Sequence, residues 1–382
     1  MNPSLRPILL GLLLFTLAGG AYAADPKGFV SLGLQYDEWN AVTTLPFKGS
    51  EFFLPFSFSY APDPNWILSG QTSFAAGTYT DSIFGTQTQN LSALTASSLT
   101  SDLYFKGFGI PNMVELSLNM PTGDPTWEGR QVASNIPTLF MGSRYQSEGW
   151  GVNALYGLSF PASDTLEYGI SAGYSYTGAY DPNYGALASV QLKMGDNLFL
   201  ALNRVESFTG NKTSTFRLSA MAFLPTQENG LTNFQMGPNG SASYSFYDPN
   251  GFSWSVGVQI YTLAQRYYLN PVVTYGQEPF GSSGQRLFFT PSLALGNLTL
   301  GGLFQFVLAN GYPVYDLSGL YNGGGVVLGF NPAYSLPFDD VSSLNFNGGF
   351  NYIAAFNASS NFIENVDYSF WTLGVNYQMK IF

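Results

Sequence analysis

The sequence contains neither cysteine nor histidine. Without cysteine no disulfide can staple a small secreted fold. Without either residue, thiolate and imidazole zinc sites cannot form. The missing imidazole also removes the Ser-His and Asp-His arrangements on which most hydrolytic general-base chemistry depends. Only carboxylate or Ser-Lys chemistry survives this argument. No nucleophile motif, Gly-rich phosphate loop or metal-ligand cluster stands out, so the expectation is a non-enzyme with no cofactor and no metal. Charge is also scarce: 10% of residues are ionic, against about 25% in an ordinary soluble domain. The 13 basic and 24 acidic residues leave a net charge of −11, which argues against a nucleic-acid partner.

Long apolar runs are missing as well, with one short exception at the N-terminus. Arg6 supplies a positive n-region, Ile8 to Leu17 an apolar core, and Ala21-Tyr22-Ala23 a small-x-small cleavage pattern. The core is shorter than the roughly 20 residues that a membrane helix needs. Residues 1–23 therefore read as a cleaved secretory signal. With no cysteine at the cleavage site, it is not a lipoprotein signal. The expected mature chain, residues 24–382, is a single domain in the bacterial outer membrane.

What is abundant is aromatic: 33 Phe, 25 Tyr and 6 Trp, 17% of the chain. These rings recur at every second position. Val30, Leu32, Leu34 and Tyr36 alternate with Ser31, Gly33, Gln35 and Asp37. Leu166, Tyr168, Ile170, Ala172, Tyr174 and Tyr176 alternate with Glu167, Gly169, Ser171, Gly173 and Ser175. Val114 to Met120, Phe252 to Ile260 and Leu344 to Tyr352 repeat the pattern. Period two means strands with one apolar and one polar face. Soluble sandwich strands are usually about 5–6 residues long, whereas these runs approach the ~9–11 residues that cross a bilayer with tilt. The polar face is mostly Gly, Ser, Asn, Thr and Gln, which suits a hydrated lumen. The fold class is thus all-β, a transmembrane antiparallel barrel of about 18 strands, with roughly 14–18 compatible with the pattern.

Short turns are expected at Ala61-Asn65, Gly109-Pro111, Ser147-Gly149, Gly195-Asn197, Asp248-Gly251 and Gly296-Asn297, with Asp339-Asp340 as further turn residues. Longer loops are expected near 77–99, 121–135, 225–240, 309–324 and 356–366. The alternation of long and short connections loses its phase between residues 250 and 284. The last strand, Trp371 to Ile381 before Phe382, ends near an aromatic. That ending resembles the signal read by the outer-membrane assembly machinery, an expected partner alongside the lipid bilayer and a small-molecule solute.

Few charges share the polar parity, so each is a candidate for the lumen. Lys106 and Glu115 would be directly cross-strand if their turn centred on Ile110-Pro111. Glu167 lies on the polar face of its own run. Arg144, Arg204, Arg217, Arg266 and Arg286 are scattered over separate segments. Tyr104, Phe108, Leu155, Tyr261, Tyr268, Phe288, Leu303 and Ile353 also share the polar parity. From these the lumen-lining candidates are Tyr104, Lys106, Glu115, Glu167, Tyr261 and Tyr268. A lumen of this kind favours neutral or amphipathic solutes over ions.

One stretch carries a resemblance. Leu99 to Gly129, with Ser101-Asp102 on an alternating strand and then Met120-Pro121-Thr122-Gly123-Asp124, resembles the outer-membrane family linked to meta-pathway phenol degradation. The resemblance implies a barrel that passes hydrophobic or aromatic compounds. The N-terminal plug of the loosely similar fatty-acid transporters is not visible, and no substrate-binding residue is implied. The expected function is an outer-membrane channel or transporter for small neutral or hydrophobic/aromatic solutes. The alternative is a non-transporting structural or surface-interaction barrel.

Overall fold

A computed structural model describes residues 27–41, 48–81, 87–95, 97–123, 149–181, 191–193, 195–224, 226–228, 231–234, 239–262, 283–313, 320–357 and 368–381. The expected signal segment 1–23 and Phe382 lie outside them. No described helix is long and apolar enough to cross a membrane, and among the described residues every regular element is a strand.

In chain order the strands are β1 (Gly28–Ala41), β2 (Lys48–Asp63), β3 (Trp66–Asp81), β4 (Gln87–Leu94), β5 (Ser97–Gly107), β6 (Ile110–Met120), β7 (Gly151–Pro161) and β8 (Leu166–Thr177). Two short strands, β9 (Ala179–Tyr180) and β10 (Leu192–Lys193), precede β11 (Asn197–Phe208) and β12 (Lys212–Phe223). Then come β13 (Thr226–Glu228), β14 (Leu231–Phe234), β15 (Asn239–Tyr247), β16 (Phe252–Thr262) and β17 (Ser283–Leu295). The last four are β18 (Leu298–Pro313), β19 (Leu320–Pro337), β20 (Ser342–Asn357) and β21 (Tyr368–Ile381).

Long strands pair antiparallel with their neighbours in sequence, and β21 returns to β1 from Gly28↔Ile381 to Ala41↔Tyr368. The sheet is therefore closed. Strands β4 and β5 both lie against β3, one along Phe74–Asp81 and the other along Trp66–Gln71. They form a single stave interrupted near Thr95, whose N–H still donates to Ser73 O at 2.8 Å. Counting that pair once, the 17-stranded sheet is a barrel of 16 staves. This number lies within the expected 14–18 strands, two below the central value of about 18, and its evenness places both described ends on one side.

The sequence reading and the structure differ at several element boundaries. Residues 77–81, 87–94, 309–313 and 320–324, all read as loop, are strand. Gly149, Gly195 and Asp196 belong to long connections rather than to short turns. Short turns absent from the sequence reading sit at 162–165 and 209–211. Between 250 and 284 the phase is regular, because β16 and β17 flank one connection on the long-loop side.

Three of the expected turns share one device. Asp63 accepts from the Asn65 N–H at 2.8 Å, Asp248 from the Asn250 N–H at 3.1 Å, and Asp339 from the Val341 and Ser342 N–H groups at 2.9 and 2.6 Å. An aspartate side chain that mimics a backbone turn fixes each reversal locally. The turn between β5 and β6 differs: Phe108 and Gly109 have φ of 54° and 81°. Positive φ at both central residues matches the twist of the flanking strands.

Alternation now divides inside from outside. On β8, Tyr168, Ile170, Tyr174 and Tyr176 are exposed on the outer face, while Gly169, Ser171, Gly173 and Ser175 face inward. Outer rings gather near both ends of the staves. Phe350 and Trp371 lie 4.3 Å apart towards the long-loop side, and Tyr244 and Trp254 lie 5.5 Å apart towards the turns. Such belts match the two bilayer interfaces. Buried large apolar side chains are few, as expected of a hollow wall rather than a packed core.

On the long-loop side, β9, β10, β13 and β14 form a four-stranded sheet in the order β14-β13-β10-β9. That order repeats β15, β12, β11 and β8, so the sheet prolongs four staves beyond the barrel. Its base is tied by Asp196. The carboxylate accepts from the Tyr174 hydroxyl at 2.5 Å, the Thr177 N–H at 3.1 Å and the Lys193 ammonium at 3.2 Å. The Asp196 carbonyl accepts from the Leu224 N–H at 2.6 Å. Burial pushes the Asp196 carboxyl up, but the bonds from Tyr174, Thr177 and Lys193 outweigh it and hold it below the ordinary carboxylate value. A lowered folded-state pKa stabilises the tie above the unfolded value, and that contribution disappears as pH falls through the folded one. Proteolysis across residues 178–196 is therefore expected to quicken on acidification below the usual carboxylate range. Asp196→Ala should show the fast rate already at neutral pH; equal rates for the two proteins would exclude this role.

Candidate functional site: the inner wall

Register fixes which side chains face the lumen. On β5 and β6 the inward set comprises Thr100, Asp102, Tyr104 and Lys106, facing Ser117, Glu115, Met113 and Pro111 in that order. Glu115 is thus opposite Asp102, not Lys106. The correction follows from the turn: it centres on Phe108-Gly109, two residues before Ile110-Pro111, and Pro111 lies in a strand instead of making the reversal. A two-residue shift keeps every side chain on its expected face but changes every partner. Phe108, expected in the lumen, stands at the turn tip and is fully exposed.

Two carboxylates thus face each other inside the wall. Asp102 Oδ1 is buried and has no hydrogen-bond partner among the described residues. Tyr104, one inward position below, remains 38% exposed although it points into the barrel. Lys106 and Glu167 are exposed nearer the turns, where Glu167 accepts from the Ser159 hydroxyl at 2.5 Å. Tyr261 occupies the strand position opposite Gly284, and Tyr268 lies outside the described residues. The candidates on β5, β6 and β8 are therefore brought onto one arc of the wall.

The sequence reading missed a second acidic group. Asp37 on β1 and Glu51 on β2 are directly paired in register and both fully buried. Gln35 Nε2 donates to both Asp37 oxygens at 2.9 Å, and Thr372 Oγ1 donates at 2.8 Å. Parity had already placed Asp37 on the polar face; Glu51 was hidden because the irregular Phe52-Phe53 pair masks the alternation.

Of the scattered arginines, Arg204 faces outward and pairs with Glu206 at 2.7 Å. Arg217 sits between Asn203 and Ser243, and Arg286 between Gln259 and Val307, both facing inward. Arg144 and Arg266 lie outside the described residues. The inner wall thus carries its acids on the staves from β1 to β8 and its arginines on β12 and β17. From β18 to β21 the wall bears no inward charge until Lys380, whose ammonium donates to Asp340 O at 2.5 Å. Among the described residues no group of acids is placed to hold a metal ion.

A separate apolar groove between Tyr36, Phe52, Tyr334, Phe346 and Leu373 lies on the outer face, above Gly348. It belongs to the lipid side and not to the lumen.

The fold has solved counterparts. Acinetobacter baumannii OccAB1 is 8% identical, with 96% of this chain and 99% of that chain covered at a TM-score of 0.50. Pseudomonas aeruginosa OpdQ is 11% identical, with coverages of 94% and 100% and a TM-score of 0.48. The outer membrane protein OpdK of P. aeruginosa is 10% identical, with coverages of 92% and 99% and a TM-score of 0.46. At such identities the likeness is one of fold, a closed outer-membrane-type barrel. No family model matches the chain, and no curated protein does.

The resemblance to the phenol-degradation family therefore has no support beyond its motif, and the motif has a structural role. Thr122 Oγ1 donates to Thr95 O at 2.5 Å and lies 2.7 Å from Ser97 Oγ. Pro121-Thr122-Gly123 thus fastens the end of β6 onto the break between β4 and β5. Ser101 faces outward and accepts from the Trp66 indole N–H at 2.9 Å.

Proposed function

We propose that this chain is an outer-membrane channel for small solutes. The observation that carries the reading is the closure of 16 staves around inward side chains that stay exposed. About eight strands enclose a space that side chains can fill, whereas about sixteen leave an aqueous passage. Tyr104, Lys106, Glu167 and Arg217 all point inward and all remain exposed, which argues against an occluded, purely structural barrel. The uncharged arc from β18 to β21, which includes Leu303, together with Leu155 and Phe288 on other inward positions, favours uncharged solutes.

In this reading residues 1–23 direct export and are removed, and the final strand engages the assembly machinery. Purified protein refolded into planar bilayers is expected to give stepwise ion conductance, and proteoliposomes should swell in small neutral solutes. Folded protein that passes neither ions nor neutral solutes would overturn the proposal.

A further inference from the structure

The uncharged arc has an internal order. Asn331 on β19 and Asn347 and Asn351 on β20 face inward, each beside a glycine of a neighbouring stave. Asn351 is paired with Gly329 and Asn347 with Gly374. A Cβ at Gly329 would overlap Asn351 Oδ1, and one at Gly374 would overlap the Asn347 amide. At Gly349 it would meet Asn331 Oδ1 at 2.9 Å. The three amides therefore lie down against the wall in the space that missing side chains leave. At the lower end, Asn376 Oδ1 is held by the Ser31 hydroxyl at 2.7 Å.

Resting on the channel reading, we infer that this amide strip is the track for neutral polyhydroxylated solutes, polyols and sugars. A carboxamide presents two donors and an acceptor, and a hydroxyl presents a donor and an acceptor. Each contact can therefore be made in either sense and exchanged for the next without desolvating a charge. The Asn351 Oδ1 acceptor is buried against Gly329 without a donor among the described residues, so a solute meets the strip above all at Asn347, which is exposed. A purely hydrophobic or aromatic solute would gain nothing from such a strip and would leave its amides unmatched.

The test compares sorbitol with triglyme, a neutral solute of similar mass that has ether oxygens but no donor. Swelling rates of proteoliposomes are normalised to ion conductance measured on the same preparation. Wild-type protein is expected to pass sorbitol faster than triglyme. The near-isosteric Asn347→Leu and Asn351→Leu should each lower the sorbitol-to-triglyme ratio by about fivefold, the factor that one net hydrogen bond is worth. An unchanged ratio in folded variants overturns the track. If a variant fails to fold, the wild-type ratio decides alone: a value at or below one overturns the track. Absence of ion conductance in the wild type is a different result, and it removes the channel reading itself.

Discussion

An arginine placed at Leu373 is expected to lower the unfolding free energy of the protein in lipid vesicles by about 2–4 kcal/mol. Leu373 sits in the middle of β21 on the outer face and is 67% exposed, an exposure that only hydrocarbon can satisfy. The guanidinium would have to reach an interface or drag water into the bilayer, and either costs free energy. Ser255→Arg is the matched control. Ser255 lies on β16 between Ser245 and Thr290, with inward parity. There the new charge meets the lumen, so stability should change by less than about 0.5 kcal/mol while conductance falls. Denaturant titration of the two refolded variants separates the cases. Equal losses of stability would show that the assignment of inner and outer faces is wrong.

The second large effect is expected at Asp102 and Glu115. Two carboxylates directly opposite in an antiparallel pair have Cβ atoms about 5 Å apart, and like charges so placed repel. They also attract cations to one arc of the lumen, as rings of acids do in cation-conducting pores. The double substitution Asp102→Asn with Glu115→Gln keeps the shape and removes both charges. The cation-to-anion permeability ratio, read from the reversal potential in a salt gradient, should drop by roughly half or more. Thermal stability should rise, because the repulsion and the cost of holding the unpartnered Asp102 Oδ1 as a charge both disappear. Loss of stability with unchanged selectivity would mean that the pair is a structural element facing away from the current.

Much of the barrel is legible without coordinates, since alternation is a direct record of one face in lipid and one in water. Strand β8 can be read residue by residue from Leu166 to Tyr176. What fails is local. Residues 87–94 (Gln-Thr-Gln-Asn-Leu-Ser-Ala-Leu) are a strand without an apolar face, because they continue a stave beyond the break near Thr95. Only pairing with β3 makes them regular, and pairing is not written in composition. Pro111 misled in the opposite direction: it reads as a turn residue, yet it is the second residue of β6, near a strand start where a missing N–H is tolerated. The partner of Glu115 was lost with that turn. The charges on β1 and β2 needed the register across Phe52-Phe53, where alternation lapses. The amide strip was visible as polar residues on one face, but its flatness depends on which glycine stands beside each asparagine, a relation between strands about 20 residues apart in sequence.

The seam between β1 and β21 has a further meaning. The Lys27 N–H donates to Ile381 O at 2.6 Å, and the Lys27 carbonyl accepts from the Ala61 N–H at 2.5 Å. The two described ends therefore meet as the arms of any hairpin meet, lacking only the link. A short bridge across them would make the chain a ring of staves with no privileged starting point. Such a ring could be opened at Asp248-Gly251 or at Asp339-Asp340 and still spell the same wall.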